Sequence, residues 1–304
     1  MIDIAALFEQ KTAFPQPAAR ERLNRLVGLD RQKQTLTKVL ALLVNPNGLK
    51  RWRDQHHPRA GLLLDAVLHR PRLVILAGDV GSGKTELAET IGDAVARQEG
   101  IEVVLLPLSL SARGQGKVGE MTQLISAAFD YTVKEASSLA SKGKAEGAVI
   151  LLVDEADALA QSREGVDMHH ENVSGVNAFI RGIDRLANAR LPAAVVMCTN
   201  RYEAIDPAVR RRAAEILLFG RPGEEQRRLL LQPRLAEFGF SVSQIEAVVA
   251  ATGPRDGGPG FTYSDLTQRL LPGIILDAYP DRSVEPQRAL EIACELKATP
   301  PFKE

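Results

Sequence analysis

Directly after an apolar run at residues 73–77 the sequence reads Gly78, Asp79, Val80, Gly81, Ser82, Gly83, Lys84 and Thr85, a match to GxxxxGK[ST] that opens into a helical pattern over residues 86–98. The glycines let the backbone turn back and aim its N–H groups at phosphate oxygens, at a helix N-terminus whose dipole also favours anions. That geometry needs a strand before the loop and a helix after it, so the segment commits its surroundings to a strand–loop–helix unit. In that frame Lys84 reaches the β- and γ-phosphates of a nucleotide and Thr85 places its hydroxyl on Mg²⁺.

The flanking chain agrees. Apolar, β-branched runs at residues 73–77, 103–106, 149–153, 193–197 and 215–219 alternate with longer helical patterns. Continuous apolar strands are covered on both faces, and their alternation with helices implies a doubly wound, parallel α/β sheet. Upstream, Leu36, Val39, Leu40 and Leu43 recur at helical spacing, which predicts a helix from Asp30 to about Val44 that stops at Asn45, Pro46, Asn47 and Gly48. After Phe219 the strands cease. Residues 220–223 read as a linker, and helical stretches near 224–237, 242–251, 263–278 and 285–297 predict a small all-helical C-terminal domain. The expected organisation is a short N-terminal segment (1–25), a large α/β domain (26–220) and a helical lid (221–304).

Composition sets the outer bounds. A chain of 304 residues with 45% hydrophobic content buries a substantial core. Lys and Arg balance Asp and Glu at 38 each, so no global field draws the chain to a nucleic-acid backbone or an acidic membrane. Cys198 and Cys294 lack CxxC spacing and sit in apolar runs, and both are expected as core thiols in a reducing compartment. With neither a signal-peptide pattern nor a run long enough to cross a bilayer, the expectation is a soluble, cytoplasmic protein without a membrane partner.

The third apolar run ends in Asp154 and Glu155, two carboxylates at the carboxyl edge of the sheet, where α/β proteins bind ligands. Asp154 suits the positioning of magnesium. Glu155, one residue on, suits the orientation and deprotonation of an attacking water. The next run ends in Thr199 and Asn200, whose amide suits a γ-phosphate sensor. Residues 205–213 then form a cationic run containing Arg210, Arg211 and Arg212. Phosphoryl transfer needs more cation at the γ-phosphate than one lysine supplies, and an arginine finger from a neighbouring subunit is one source. Two other patterns carry less. Gly114, Gly116 and Gly119 fit GxGxxG but trail their strand, and no acidic residue stands at a strand end where a ribose would need one. His169 and His170 are adjacent and so do not share a helix face, which argues against a metal site.

These motifs, in this order, resemble the AAA+ ATPases over residues 27–278. Within that class the segments 174–184 and 205–220 are similar to the HORMA-domain remodelers, the pachytene-checkpoint ATPases and their short bacterial relatives in antiphage operons. The resemblance implies ATP and Mg²⁺ as cofactors, a homo-hexameric ring, and a HORMA-domain protein pulled through a central pore. It implies that Val27 and Gly28 touch the adenine and that Arg212, or as second candidate Arg211, is the finger. It places a first pore loop at residues 112–120 with Lys117 and Val118 at the grip, and a second near 164–174 that includes His169 and His170. The lid position where many relatives carry an arginine sensor holds Ser264. Two other readings stay open. One is a nucleic-acid AAA+ protein such as a clamp or helicase loader, for which Lys50, Arg51, Trp52 and Arg53 offer a basic patch with a stacking ring, against a solvated loop or a packing tryptophan. The other is a nucleotide-switched scaffold.

Overall fold

The computed structural model describes residues 7–8, 10–109, 120–140, 147–157, 169–255 and 257–301. A short strand, Thr12–Phe14 (β1), precedes the five apolar runs, which fold as Leu73–Gly78 (β2), Glu102–Ser109 (β3), Gly147–Asp154 (β4), Ala193–Thr199 (β5) and Ala213–Phe219 (β6). They form one sheet in the order β1-β3-β4-β5-β2-β6. The pairs β3–β4, β4–β5 and β5–β2 are parallel, and β1 lies antiparallel on β3. All seven residues of β5 are buried, as expected of a central strand covered on both faces. The doubly wound α/β class therefore holds, with a six-stranded sheet and C-terminal helices.

Packing groups the chain into two compact units. The first comprises Met1–Asn24, Arg31–Ala77 and Thr85–Leu218; the second comprises Arg25–Asp30, Gly78–Lys84 and Phe219–Glu304. The phosphate loop thus packs with the C-terminal helices, whereas the division expected from sequence follows chain order.

In the first unit, helices Glu120–Ala140 and His169–Asn188 lie together, and Phe129 meets Phe179 edge to face at 5.7 Å between centroids. Gly182 is what lets Phe129 in, since a Cβ there would stand 2.3 Å from its ring. On β1, Phe14 settles on Gly92 of helix Lys84–Glu99 in the same way, with 2.4 Å left for a Cβ. The predicted helix Asp30–Val44 is present. The expected break at 45–48 is only a joint, because Pro46 occupies the first position of a new helix, Pro46–His56, where its missing N–H costs nothing. Trp52 lies on that helix, half-exposed, with the His57 ring at 5.1 Å. Numbered in chain order, with Pro17–Arg25 as α1, these helices are Asp30–Val44 (α2), Pro46–His56 (α3), Leu62–Leu68 (α4), Lys84–Glu99 (α5), Glu120–Ala140 (α6), His169–Asn188 (α7) and Pro207–Arg210 (α8).

The second unit adds Glu224–Ala236 (α9), Val242–Ala251 (α10), a π-helical stretch Asp265–Leu270 that runs on into Leu271–Ala278 (α11), and Pro286–Glu295 (α12). Its own core gathers Leu231, Phe240, Val248, Phe261, Leu266, Leu270 and Ala293. Cys198 is buried as expected, but Cys294 is exposed: Ala289 and Ala293 hold the inner face of α12, and residue 294 turns about 100° away from Ala293 and about 140° from Ala289. Among the described residues no helix is long and apolar enough to cross a membrane.

Candidate active site

Within the first unit, the acid pair and the Thr199–Asn200 pair stand at the carboxyl ends of the neighbouring parallel strands β4 and β5. In register, Ala77 of β2 stands beside Thr199 of β5, and Asp154 closes β4 beside Ser109 of β3. Gly78 then leaves β2 at φ 144°, with only 1.9 Å between the place of a Cβ and the Phe219 carbonyl, so the loop starts where no side chain fits. The loop ends at Lys84, the first residue of α5. Lys84 is buried, and its amine donates to the carbonyls of Gly78 (3.0 Å) and Asp79 (2.7 Å) and reaches Ser82 Oγ at 3.4 Å.

One residue further, Thr85 Oγ1 lies 3.3 Å from Asp154 Oδ1. Burial pushes the Asp154 carboxyl above its ordinary range, against the opposing bonds from Glu155 N and Thr85. A hydroxyl and a desolvated carboxylate side by side are hard oxygen donors. That set fits Mg²⁺, which takes few protein ligands, keeps several waters and leans on substrate phosphates. Among the described residues no cluster of three or more His, Cys, Asp or Glu is grouped for a metal.

The turn after β4 is stitched to the end of β5. Ala156 N donates to Cys198 O at 3.0 Å, and the Asp157 carboxylate accepts from Thr199 Oγ1 (2.5 Å), Asn200 N (2.9 Å) and Asn200 Nδ2 (3.2 Å). Asp157 therefore fixes which way the Asn200 amide faces. Between these anchors Glu155 is exposed, at φ 50°, in the left-handed region that disfavours side chains. Its N–H donates to Asp154 Oδ1 at 2.9 Å, so the two acids are set by one turn but project differently.

The arginine run follows Asp206, which caps α8 through Ala208 N at 2.7 Å. Arg212 is held in a fork on Asp184 of α7, at 2.8 and 3.1 Å, and that bond raises the guanidinium's pKa further. Arg211 is exposed. Arg210 rests on the Tyr202 ring at 5.7 Å.

Val27 and Gly28 lie in the turn before α2. Gly28 has φ 76°, and its carbonyl accepts from Gln226 Nε2 at 2.8 Å. A Cβ at Gly28 would stand 2.9 Å from the Tyr263 hydroxyl, a buried group with no partner among the described residues. Burial, with the Asp30 charge second, pushes that phenol up to about 12, so it stays protonated. Lys117 and Val118 lie outside the described residues, as does Gly114–Gly119. His169 and His170 stand in the first turn of α7, so the segment expected as a second loop is helical from 169 onward.

Sequence reasoning assigned no role to Asp157, Asp184, Arg221, Gln226 or Tyr263. Asp157 follows Asp154 by three positions in the acidic motif and Asp184 closes the 174–184 segment, but neither pattern announces its partner.

Comparison with known proteins gives a consistent result. Residues 74–221 match the model of the ATPase family associated with various cellular activities (AAA). CD-NTase-associated protein 6 of Escherichia coli (strain MS 115-1) is 61% identical over 298 residues, covering 97% of this chain and 96% of that protein. A chain in the E. coli MS115-1 HORMA:CdnC:Trip13 complex superposes with a TM-score of 0.92 at 59% identity, with 99% of each chain covered. The Rhizobiales Trip13 structure gives 0.76 at 57% identity, over 97% of this chain and all of that one (100%).

Proposed function

The chain belongs to the AAA ATPases, in the branch that includes CD-NTase-associated protein 6, and from that premise we propose that it hydrolyses ATP to remodel a HORMA-domain protein. The observation that carries the ATPase reading is the contact of Thr85 Oγ1 with Asp154 Oδ1 at the strand ends, one residue from the phosphate-loop lysine. The similarity to a chain of a HORMA:CdnC:Trip13 complex supports the partner class.

In this reading the loop N–H groups of residues 78–84 and the Lys84 amine hold the phosphates, while Val27 and Gly28 meet the adenine. Thr85 and Asp154 would hold Mg²⁺, which when bound would supply positive charge against that developing on the phosphates. Glu155 takes the proton of the attacking water. Asn200, held by Asp157, orients that water against the γ-phosphate. Arg212, with Arg211 as alternative, brings its cation to a neighbouring copy's site in a homo-hexameric, cytoplasmic ring. Lys117 and Val118 grip the partner in the pore, with His169 and His170 at a second contact; residues 26–220 act as the motor domain and 221–304 as the lid.

The test pairs two measurements on one preparation: phosphate release, and ATP-dependent conversion or disassembly of a candidate HORMA-domain protein. Both should be present in the parent and absent in Lys84→Ala, whose loop no longer binds nucleotide. Phosphate release without any effect on HORMA proteins would remove the partner assignment and leave the ATPase.

A further inference from the structure

Within the second unit, the phosphate loop is held from two sides by residues of the C-terminal segment 221–304. On one side, the Arg221 guanidinium bridges loop and lid: Nε donates to Asp79 Oδ2 at 2.5 Å, and Nη1 donates to Gly260 O at 2.7 Å. The two charged side chains are only 14% and 18% exposed, so water screens this pair weakly. Asp79 Oδ1 in turn accepts from Val80 N at 2.9 Å, which carries the bridge into the loop's own turn. On the other side, Ser264 N donates to Gly81 O at 3.1 Å. Gly81, at φ 69°, is packed so closely that a Cβ would come within 2.8 Å of Ser264 and 2.9 Å of Thr262. The lid segment is itself rigid, since Thr262 and Asp265 cap each other reciprocally at 3.0 Å.

We propose that Arg221 is a positioning residue for nucleotide binding: by tying Asp79 to Gly260 it latches the phosphate loop to the lid, so the loop keeps its anion-binding turn only while the lid segment is seated. A loop whose N–H groups must converge on one anion gains affinity from being fixed beforehand. The third nitrogen, Nη2, is buried and without a partner among the described residues, so the guanidinium holds a donor in reserve at the nucleotide site. The latch rests on the reading of residues 78–85 as the ATP site.

The experiment is a double-mutant cycle on nucleotide affinity, with ADP and ATP titrated calorimetrically into the full chain. Arg221→Gln and Asp79→Asn should each weaken both affinities about tenfold, while the double variant should be no weaker than the poorer single one. Arg221→Lys, which keeps the charge but loses the planar pair of donors that spans Asp79 and Gly260, should recover part of the loss. The rise in Tm on adding saturating ADP should shrink in the two singles, by the mass-action relation between affinity and stability. A merely structural pair would lower the nucleotide-free Tm and leave the affinities unchanged; that result, or additive effects in the double variant, overturns the latch. Should Arg221→Gln fail to fold, the isosteric Asp79→Asn and the cationic Arg221→Lys carry the same test. Failure of the underlying site looks different: the parent would bind no nucleotide, or Lys84→Ala would bind it as tightly as the parent.

Discussion

Glu155 and Asp154 are neighbours in sequence and opposites in environment. Glu155 is exposed in a left-handed turn, a conformation a non-glycine residue keeps only where its surroundings hold it, here through Ala156 and Asp157 on β5. That placement suits a base which must meet water. Glu155→Gln should keep ATP affinity within a few-fold of the parent and lower phosphate release by roughly 10²-fold or more, the range of a lost general base; unaltered hydrolysis would reassign the base. Asp154 is desolvated, and its carboxyl is pushed up. A carboxyl with a folded pKa above its unfolded one binds its proton more tightly when folded, so its contribution to stability is present at low pH and is lost as pH rises through that range. Asp154→Asn removes that loss. The nucleotide-free Tm at pH 7 should therefore rise, by roughly 2 °C if about 0.5–1 kcal/mol is recovered, while Mg²⁺-dependent hydrolysis disappears. A lower Tm would show that the carboxylate stabilises the fold.

The π-helical stretch Asp265–Leu270 is built around one buried charge. Asp265 is fully buried and accepts from Thr262 N, Thr299 N, Thr299 Oγ1 and Arg269 Nη1, at 3.0, 3.0, 2.6 and 2.7 Å. Burial pushes its carboxyl up, and the bonds from Thr299, Thr262 and Arg269 together outweigh it and hold the group at about 2. Its stabilisation is present above the unfolded value and is lost as pH falls from about 4 through about 2. Asp265→Ala strands Arg269 and both threonine N–H groups, and should cost roughly 3–5 kcal/mol, seen as an early melting step and loss of nucleotide affinity; a melt matching the parent's would mean that solvent takes over those bonds. The five apolar strands, α2 and the C-terminal helices were legible, because burial on one or both faces writes itself into local periodicity. β1 was not legible: it has three residues, and its role is Phe14 resting on Gly92, a contact no local pattern announces. β3 was read too short because Pro107 and Ser109 interrupt the apolar run, although both lie in register with β4. The hidden part of the site shares one cause. Asp157, Asp184 and Arg221 act on partners 43, 28 and 142 positions away, so their roles exist only after folding.

At the scale of the assembly, the proposed ring needs an arginine that serves a neighbour, and Arg212 and Arg211 are its two candidates. Within its own chain Arg212 is forked onto Asp184, and both side chains are partly exposed, so the pair is worth about 1 kcal/mol or less and does not bar a move to a phosphate. The fork also pre-orients the guanidinium, which favours Arg212 over the exposed Arg211. Arg212→Ala should lower hydrolysis by about 10³-fold or more with ATP affinity nearly unchanged, as loss of a finger does, whereas Arg211→Ala should stay within a few-fold of the parent. Mixing distinguishes action across an interface from action within a chain. An Arg212→Ala subunit keeps its own Glu155, and a Glu155→Gln subunit keeps its own Arg212. If the finger acts within its own chain, neither subunit ever holds a complete site and mixing recovers nothing. If it acts on the neighbour, about one interface in four of an equal, random ring pairs an intact Glu155 with an intact Arg212, and phosphate release should return toward a quarter of the parental rate. Mixed rings demonstrated by co-purification of two differently tagged subunits, yet without recovered activity, would end the assignment of Arg212 across the interface; recovery with Arg211→Ala instead would move the finger one residue back.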